Sequence, residues 1–180
     1  FNHMLKKFTI NNTQENNLYS NILLLSRNTL FYTKFNLSDT FQNRIHLIFV
    51  YISFLFIKIK HNNQKNAYKL FYQKMFDFIF HKIEQNMREI GYGDTVINKN
   101  MKFLVKIFYD ILLNCEKYNK KTVNSKNIFL SKYLKLNIKA KSTDYGDLFK
   151  YFDKYQAFCF DLRPDSVLKG ELKFFYELNK

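Results

Sequence analysis

One nearly continuous apolar segment, residues 45–57 with the sequence IHLIFVYISFLFI, most constrains what this chain can fold into. A helix that spans a bilayer needs about 20 apolar residues, whereas this segment is shorter and contains His46 and Ser53. A helix that is apolar on all sides must be covered on every side by other elements. The segment therefore predicts the central helix of a protein core rather than a membrane span.

The rest of the sequence also favours helices. The 180 residues include only four Gly and one Pro, and 47% of them are hydrophobic, which is unlike turn-rich β-sandwiches or disordered chains. Apolar residues recur at spacings of three and four along several segments, as on one face of a helix. We predict an all-α fold in which residues 5–180 form a single compact domain of six or seven helices around a long apolar central helix. Residues 1–4 are interpreted as an expression-tag remnant.

Spacing and capping signals predict the helix boundaries. The expected helices cover residues 15–34, a segment ending at 60, residues 70–90, a segment around 101–115, residues 124–137, a segment through 148–158 and residues 165–177. Capping is expected at Asp39 with Gln42 as a capping-box partner, at Asp94, and at Ser142 or Thr143. Gly91 is expected to end its helix in a left-handed conformation, with Gly93 as a second permissive hinge.

The formal charge of +14 is unevenly distributed. The net charge is +8 over residues 1–76, zero over 77–115, +7 over 116–141 and −1 over 142–180. Basic segments favour an anionic partner, although a solvated lysine face explains them equally well. Candidates for facing a membrane or a ribosome are Lys117, Lys120, Lys121 and Lys126. A basic helical module that binds RNA, ribosome or anionic membrane is therefore one functional hypothesis.

The sequence carries little that resembles catalytic chemistry. Asp77, His81 and Glu84 share one helix face, but a carboxylate-bridged di-iron bundle needs a second Glu-x-x-His pair, which is missing from the sequence. Neither a Gly-rich phosphate loop nor a nucleophile motif is present. We expect no catalytic residue, metal, cofactor or small-molecule substrate. Cys115 and Cys159 lack a C-x-x-C spacing and indicate free thiols in a reducing compartment, and without a recognisable signal peptide we expect a cytoplasmic protein.

One long string, residues 75–111, resembles the signature core of the ubiquinol-cytochrome c chaperone family. In that family a helix runs into L-R-E-x-G-V-G-D, and the next, Lys-bearing helix ends in F-Y-G-R. The matching positions here are Met87, Arg88, Glu89, Gly91, Gly93, Asp94, Lys99, Lys102, Phe108 and Tyr109. SDTFQNR, with Asp39, Thr40 and Arg44, is similar to the family's D-T-x-x-x-R element, and KNIF at 126–129 resembles its R-N-x-Y element. Departures from the pattern are Tyr51, Lys82, Tyr92, Asp110 and Ile111.

The resemblance, which covers about residues 18–175, implies an all-helical chaperone without catalytic activity. Such a protein binds newly made cytochrome b and promotes assembly of the respiratory bc1 complex (complex III). The resemblance also implies association with the ribosome, with the anionic inner-membrane surface and with a small helper protein, and we expect a bacterial member bound peripherally to the inner membrane. Candidates for contacting a partner or fixing the interhelix corner are Asp39, Thr40, Arg44, Arg88, Glu89, Gly91, Gly93, Asp94 and Lys99. We expect one paired-charge cluster to fix the corner, formed by Asp39, Arg44, Arg88, Glu89 and Asp94.

Overall fold

The computed structural model describes residues 13–61, 65–139 and 144–177. Within these ranges six helices have more than ten residues, and two others are short. They are α1 (Gln14–Ser26), α2 (Leu30–Thr33), α3 (Phe41–Lys60), α4 (Lys65–Ile90), α5 (Asp94–Glu116), α6 (Val123–Tyr133), α7 (Gly146–Asp161) and α8 (Pro164–Leu168), with a 3-10 helix at Tyr118–Lys120. In the same ranges an isolated antiparallel bridge between Leu37 and Leu136 is the one β pairing. The all-α prediction is confirmed.

Helix α3 is the centre of the bundle, as the apolar segment predicts. Fourteen of its 20 residues are buried, and it packs against α1, α4, α5, α7 and α8. The length argument against a membrane span was too strict, because the whole helix is long and apolar enough to cross a bilayer. However, 78% of its most apolar window is buried inside the protein, as in the core helix of a globular fold.

The first predicted helix, residues 15–34, is wrong as a single element. Helix α1 ends at Ser26, and α2 starts at Leu30. Asn28 explains the break, because its Oδ1 accepts a hydrogen bond from the backbone N–H of Leu30 at 3.0 Å. An asparagine side chain that binds nearby backbone in this way competes with the helical hydrogen bonds.

The predicted helix at residues 165–177 is also largely wrong. Helix α8 ends at Leu168, and residues 171–177 are not helical. Gly170 has φ 79°, and a Cβ at this position would lie 2.5 Å from the backbone oxygen of Gln14. The chain turns here and passes over α7, where Phe174 packs its ring edge-on against Tyr155.

Capping also differs from the predictions. Thr40, not Asp39, is the N-cap of α3, and its hydroxyl accepts from the backbone N–H of Asn43 at 3.2 Å. The N-cap thus lies one residue after the predicted Asp39, and the residue three positions after the N-cap is Asn43 rather than the predicted Gln42. The expected caps Ser142 and Thr143 lie outside the described residues. Helix α6 ends at residue 133 rather than 137, because the following chain is extended and pairs with the segment before α3.

Candidate functional site

The corner between α4 and α5 is built by the chain's backbone around Gly91. Gly91 has φ 98°, as expected for a residue in the left-handed conformation. Its N–H donates to the carbonyl of Arg88 at 3.0 Å, and the N–H of Tyr92 donates to the carbonyl of Met87 at 3.1 Å. This pair of bonds is the Schellman arrangement, which satisfies the free carbonyls at a helix end.

Gly93 and Asp94 have different roles from those predicted. Gly93 is the N-cap of α5 with φ −74° and ψ 157°, an extended conformation that any residue adopts. The expectation of a second glycine hinge is therefore wrong. Asp94 is the first residue of α5 rather than its cap, and its negative charge there favours the positive end of the helix dipole.

Replacing Gly91 by Val is expected to lower the free energy of unfolding by about 1–3 kcal/mol. A Cβ at Gly91 would meet nothing within 4 Å, so the loss reflects the positive φ alone. The control is Gly93→Ser, which also adds a side chain in open space, keeps a negative φ and places a residue that is favoured at an N-cap. Urea unfolding of both variants measures the difference; equal stability of the two would contradict this account of the corner.

Arg88 ties the two helices together across the corner. Its guanidinium donates to Glu84 Oε1 at 2.8 Å within α4 and to Asp94 Oδ1 at the start of α5. The three side chains are partly exposed, so each pair contributes modestly to stability. Glu89 is exposed, and among the described residues no hydrogen bond or ion pair joins it to this group.

A second ion pair, between Arg44 and Asp39, is formed at the start of α3. Two guanidinium nitrogens donate to the carboxylate at 2.8 and 3.0 Å, which is the bidentate geometry that favours Arg over Lys. Among the described residues, no hydrogen bond or ion pair joins this group to Arg88. The charged candidates thus form two separate groups rather than the single cluster that we expected.

The exposed side of α5 is the most distinctive surface next to the corner. Val96 is 45% exposed and Phe103 58% exposed, and they lie seven residues apart, on one helix face. Lys99 and Lys106 lie on the same face and are exposed. We call Val96, Lys99, Phe103 and Lys106 the α5 face.

The α5 face is positively charged because nearby acids are already paired. Asp94 is bound by Arg88, and Asp110 is bound by Lys132 at 2.7 Å. The α5 face thus combines exposed apolar side chains with two lysines for which the described residues provide no carboxylate.

The predicted metal-spacing residues are not assembled into a site. Asp77 accepts from the side-chain amide of Gln73 at 2.9 Å, and Glu84 is held by Arg88. His81 is exposed on the surface of α4. Across the described ranges, no three His, Cys, Asp or Glu side chains converge as metal ligands would.

The candidate basic residues after α5 fall into two groups. Lys117 and Lys120 are exposed, and Lys121 is half-buried. Lys126 is different, because only 16% of its side chain is exposed and its Nζ is 2.7 Å from Asp153 Oδ1. That ion pair places Lys126 in the interface between α6 and α7 and removes it from the exposed basic surface.

Sequence reasoning missed the role of Asn43, which is buried and links two distant segments. Its Nδ2 donates to the carbonyls of Ser38 and Lys135 at 2.8 Å each, and its Oδ1 accepts from the N–H of Lys135 at 2.9 Å. Asn43 thus satisfies backbone groups beside the Leu37–Leu136 bridge. The one indication of this role in the sequence was that Asn43 lies within the SDTFQNR element, which resembles a family motif.

Tyr51, at a position where the resembled family often has His, is fully buried. Its hydroxyl hydrogen-bonds to the hydroxyl of Tyr151, and its carbonyl accepts from the hydroxyl of Tyr155 at 3.1 Å. Burial raises the pKa of Tyr51 well above the usual value for tyrosine, so the phenol remains neutral. This departure therefore affects the interior contact between α3 and α7 rather than a surface.

The chain was compared with known proteins, and two results are informative. A family model described as ubiquinol-cytochrome C chaperone matches residues 33–174. A crystal structure described as that of the Cbp3 homolog from Brucella abortus superimposes with a TM-score of 0.75 at 19% sequence identity, over 91% of this chain and 89% of that one. No match was found among curated proteins. The structural likeness supports the fold, and the family model covers most of the chain, including both ion-pair groups and the α5 face; the chain therefore belongs to the ubiquinol-cytochrome c chaperone family.

Proposed function

We propose that this protein is a chaperone without catalytic activity, which binds newly made cytochrome b and promotes assembly of the respiratory bc1 complex. Membership of the family supports a role in assembly of this complex. The observation that carries the proposal is the α5 face, where Val96 and Phe103 are about half exposed. A protein that holds a hydrophobic helix before assembly needs such a surface in its folded state.

The α5 face suits a helical client for a simple physical reason. An apolar stripe on one helix accepts the apolar side of another through residues spaced three, four and seven apart. Single exposed apolar residues are common on protein surfaces, so the argument rests on their combination with Lys99 and Lys106. These lysines attract acidic or carbonyl groups that flank the apolar part of a membrane helix, and they thereby favour one orientation of the client.

The remaining candidate residues position this face. Gly91, Arg88 and Asp94 set the direction in which α5 leaves the corner, whereas Asp39, Thr40 and Arg44 set the start of the central helix. Glu89 and Lys99 are exposed and free to contact a client directly. In this proposal the first group acts through geometry, and Lys99 acts through contact.

The proposal is tested by depletion and complementation in the native cell. Depletion is expected to lower the amount of assembled bc1 complex on native gels while synthesis of cytochrome b continues. Wild-type protein restores the complex, whereas the double variant Val96→Ser and Phe103→Ser does not, because the apolar contact is lost. The variant should also fail to co-isolate cytochrome b.

The matched control is Phe175→Ser, which removes a phenylalanine that is 86% exposed and distant in sequence from α5. Urea unfolding establishes that both variants are folded. Normal bc1 levels after depletion would refute the chaperone assignment, and full complementation by the double variant would refute the α5 face as the client site.

A second candidate function is supported by the charge of residues 116–141, which is +7. We propose that Lys117, Lys120 and Lys121 hold the protein peripherally at an anionic surface, either the inner membrane of a bacterial cell or the ribosome. Such attraction brings the chaperone to the place where its client is made. A small helper protein is a further proposed partner.

Binding to vesicles with anionic lipids is expected to weaken as salt rises. Each lysine near such a surface contributes about 1 kcal/mol, and salt screens it over a Debye length. The triple variant Lys117→Glu, Lys120→Glu and Lys121→Glu should lose most binding in a sedimentation assay, whereas Lys34→Glu, at another exposed site, should not. Ribosomes tested in parallel identify the preferred surface. Binding that is unchanged by salt would exclude this electrostatic role.

A further inference from the structure

A cavity of about 440 Å³ opens where α3, α5 and α7 end. Its volume lies within the range of about 300–1,000 Å³ that is usual for ligand sites. Its floor is formed by Phe54, Cys115 and Cys159, each at most 3% exposed. Lys58 and His61 line the cavity nearer to solvent.

The floor of the cavity is apolar and unreactive. Burial raises the pKa of the Cys159 thiol to about 12 and that of Cys115 well above its usual value. Both cysteines therefore remain neutral thiols, and a buried neutral thiol behaves as a small hydrophobic group. The cavity floor thus suits a hydrocarbon.

The mouth of the cavity is positively charged. Nζ of Lys58 donates to the backbone carbonyl of Phe160 and lies 5.3 Å from the centre of its ring. This contact leaves the charge of Lys58 without a carboxylate partner among the described residues. The acidic lining residue, Glu116, is bound by Lys60 at 2.8 Å. A negative group at the mouth would therefore meet one cation that is not already neutralised.

We propose that this cavity binds a single-chain anionic amphiphile of the fatty-acid type, with its hydrocarbon chain against Phe54, Cys115 and Cys159 and its anionic head beside Lys58. Charge complementarity selects this class, because a cationic head would be repelled by Lys58 and a neutral one would gain nothing from it. The modest volume of the cavity favours one chain over a two-chain lipid. The proposal rests on the cavity and is independent of the chaperone function.

The first test uses cis-parinarate, a polyene fatty acid whose fluorescence rises in an apolar site. We expect saturable binding of one molecule per chain, with displacement by myristate below its micellar concentration. Tetradecyltrimethylammonium, which has the same chain length and the opposite charge, should displace the probe about tenfold less well. Binding only at micellar concentrations, more than one site, or equal competition by the two amphiphiles would overturn the proposal.

Variants then locate the site. Lys58→Glu is expected to weaken binding by about tenfold or more, since it replaces attraction by repulsion, and Cys159→Phe should abolish binding by filling the floor. Controls are Lys102→Glu and Phe175→Ser, which lie outside the cavity lining and should bind as the wild type does. Urea unfolding checks each fold, and if Cys159→Phe does not fold, Lys58→Glu decides. Wild-type affinity in Lys58→Glu, or binding of vesicle lipid alone, would refute the proposal.

Discussion

Replacing Phe108 by Ala is expected to lower the free energy of unfolding by about 3–5 kcal/mol, the usual cost of removing a buried aromatic side chain. Phe108 is 1% exposed and lies on the inner side of α5. Its ring packs against Phe49 and Phe56 of α3 at centroid distances of 5.4 and 6.1 Å. It also contacts Phe76 and Phe80 of α4, at 5.5 and 5.9 Å.

The expected loss is large because rings from three helices surround this side chain. Truncation removes apolar area from the core and leaves a cavity that rigid neighbouring helices fill only in part. Edge-to-face contacts between the rings add to the loss beyond the buried area. A loss of this size is a substantial fraction of the total stability of a typical domain.

The matched control is the next residue, Tyr109, which is 46% exposed. Tyr109→Ala is expected to cost about 1 kcal/mol, because a half-exposed ring gives up less buried apolar area than a fully buried one. Urea unfolding monitored by circular dichroism measures both variants. A similar loss for the two would show that Phe108 is not the centre of the contact between α3, α4 and α5.

The main features of the fold were predictable from local patterns. Residues 45–56 of the apolar segment are all buried in the structure, because packing against the other helices removes their apolar groups from water. Gly91 takes the left-handed conformation that its position after an amphipathic helix indicates. These features depend on neighbours within a few residues, which the sequence displays directly.

Features that depend on distant contacts were not predictable. Gly170 ends α8 where its backbone approaches Gln14, more than 150 positions earlier, and Asn43 bonds the backbone of Lys135. The path of residues 171–177 follows the aromatic surface of α7, where Phe174 packs against Tyr151 and Tyr155. Helical spacing alone therefore extended the last helix too far.

The candidate site also contains both predictable local contacts and contacts that depend on distant residues. The Arg88–Asp94 contact spans six residues of a single corner, and the sequence resemblance draws attention to both partners. Lys126, by contrast, was assigned to a surface because its neighbours are basic. Its ion pair with Asp153 of α7 appears only once the two helices pack together.

Lowering the pH from about 6.5 to about 4 is expected to cost about 3 kcal/mol of stability through one residue, His46. His46 is 1% exposed, and its Nδ1 lies 2.7 Å from the carbonyl oxygen of Tyr133. A carbonyl only accepts, so Nδ1 carries the proton and Nε2 is unprotonated. Nε2 is buried and has no hydrogen-bond partner among the residues that the structure describes.

The sign of this pH dependence follows from the depressed pKa. Burial, together with the nearby charge of Lys135, lowers the pKa of His46 to about 4 in the folded protein, from 6.5 in the unfolded chain. Between these values the unfolded chain binds a proton that the folded protein does not, so stability falls as the pH falls. Above pH 6.5 the neutral ring is retained in both states, and this contribution is constant.

The variant His46→Gln separates the contribution of this residue to the pH dependence of stability from that of the carboxyl groups, which titrate in the same range. The glutamine amide is able to donate to the carbonyl of Tyr133 but does not titrate, so the variant should lose less stability than the wild type between pH 7 and pH 4.5. Most of the shift from 6.5 to about 4 lies within that interval, so the two proteins should differ in this loss by about 2–3 kcal/mol. Urea unfolding at both pH values measures it. Parallel losses in the two proteins would mean that the pKa of His46 is not lowered in the folded protein. The protonated Nε2 would then find a hydrogen-bond acceptor in the folded state.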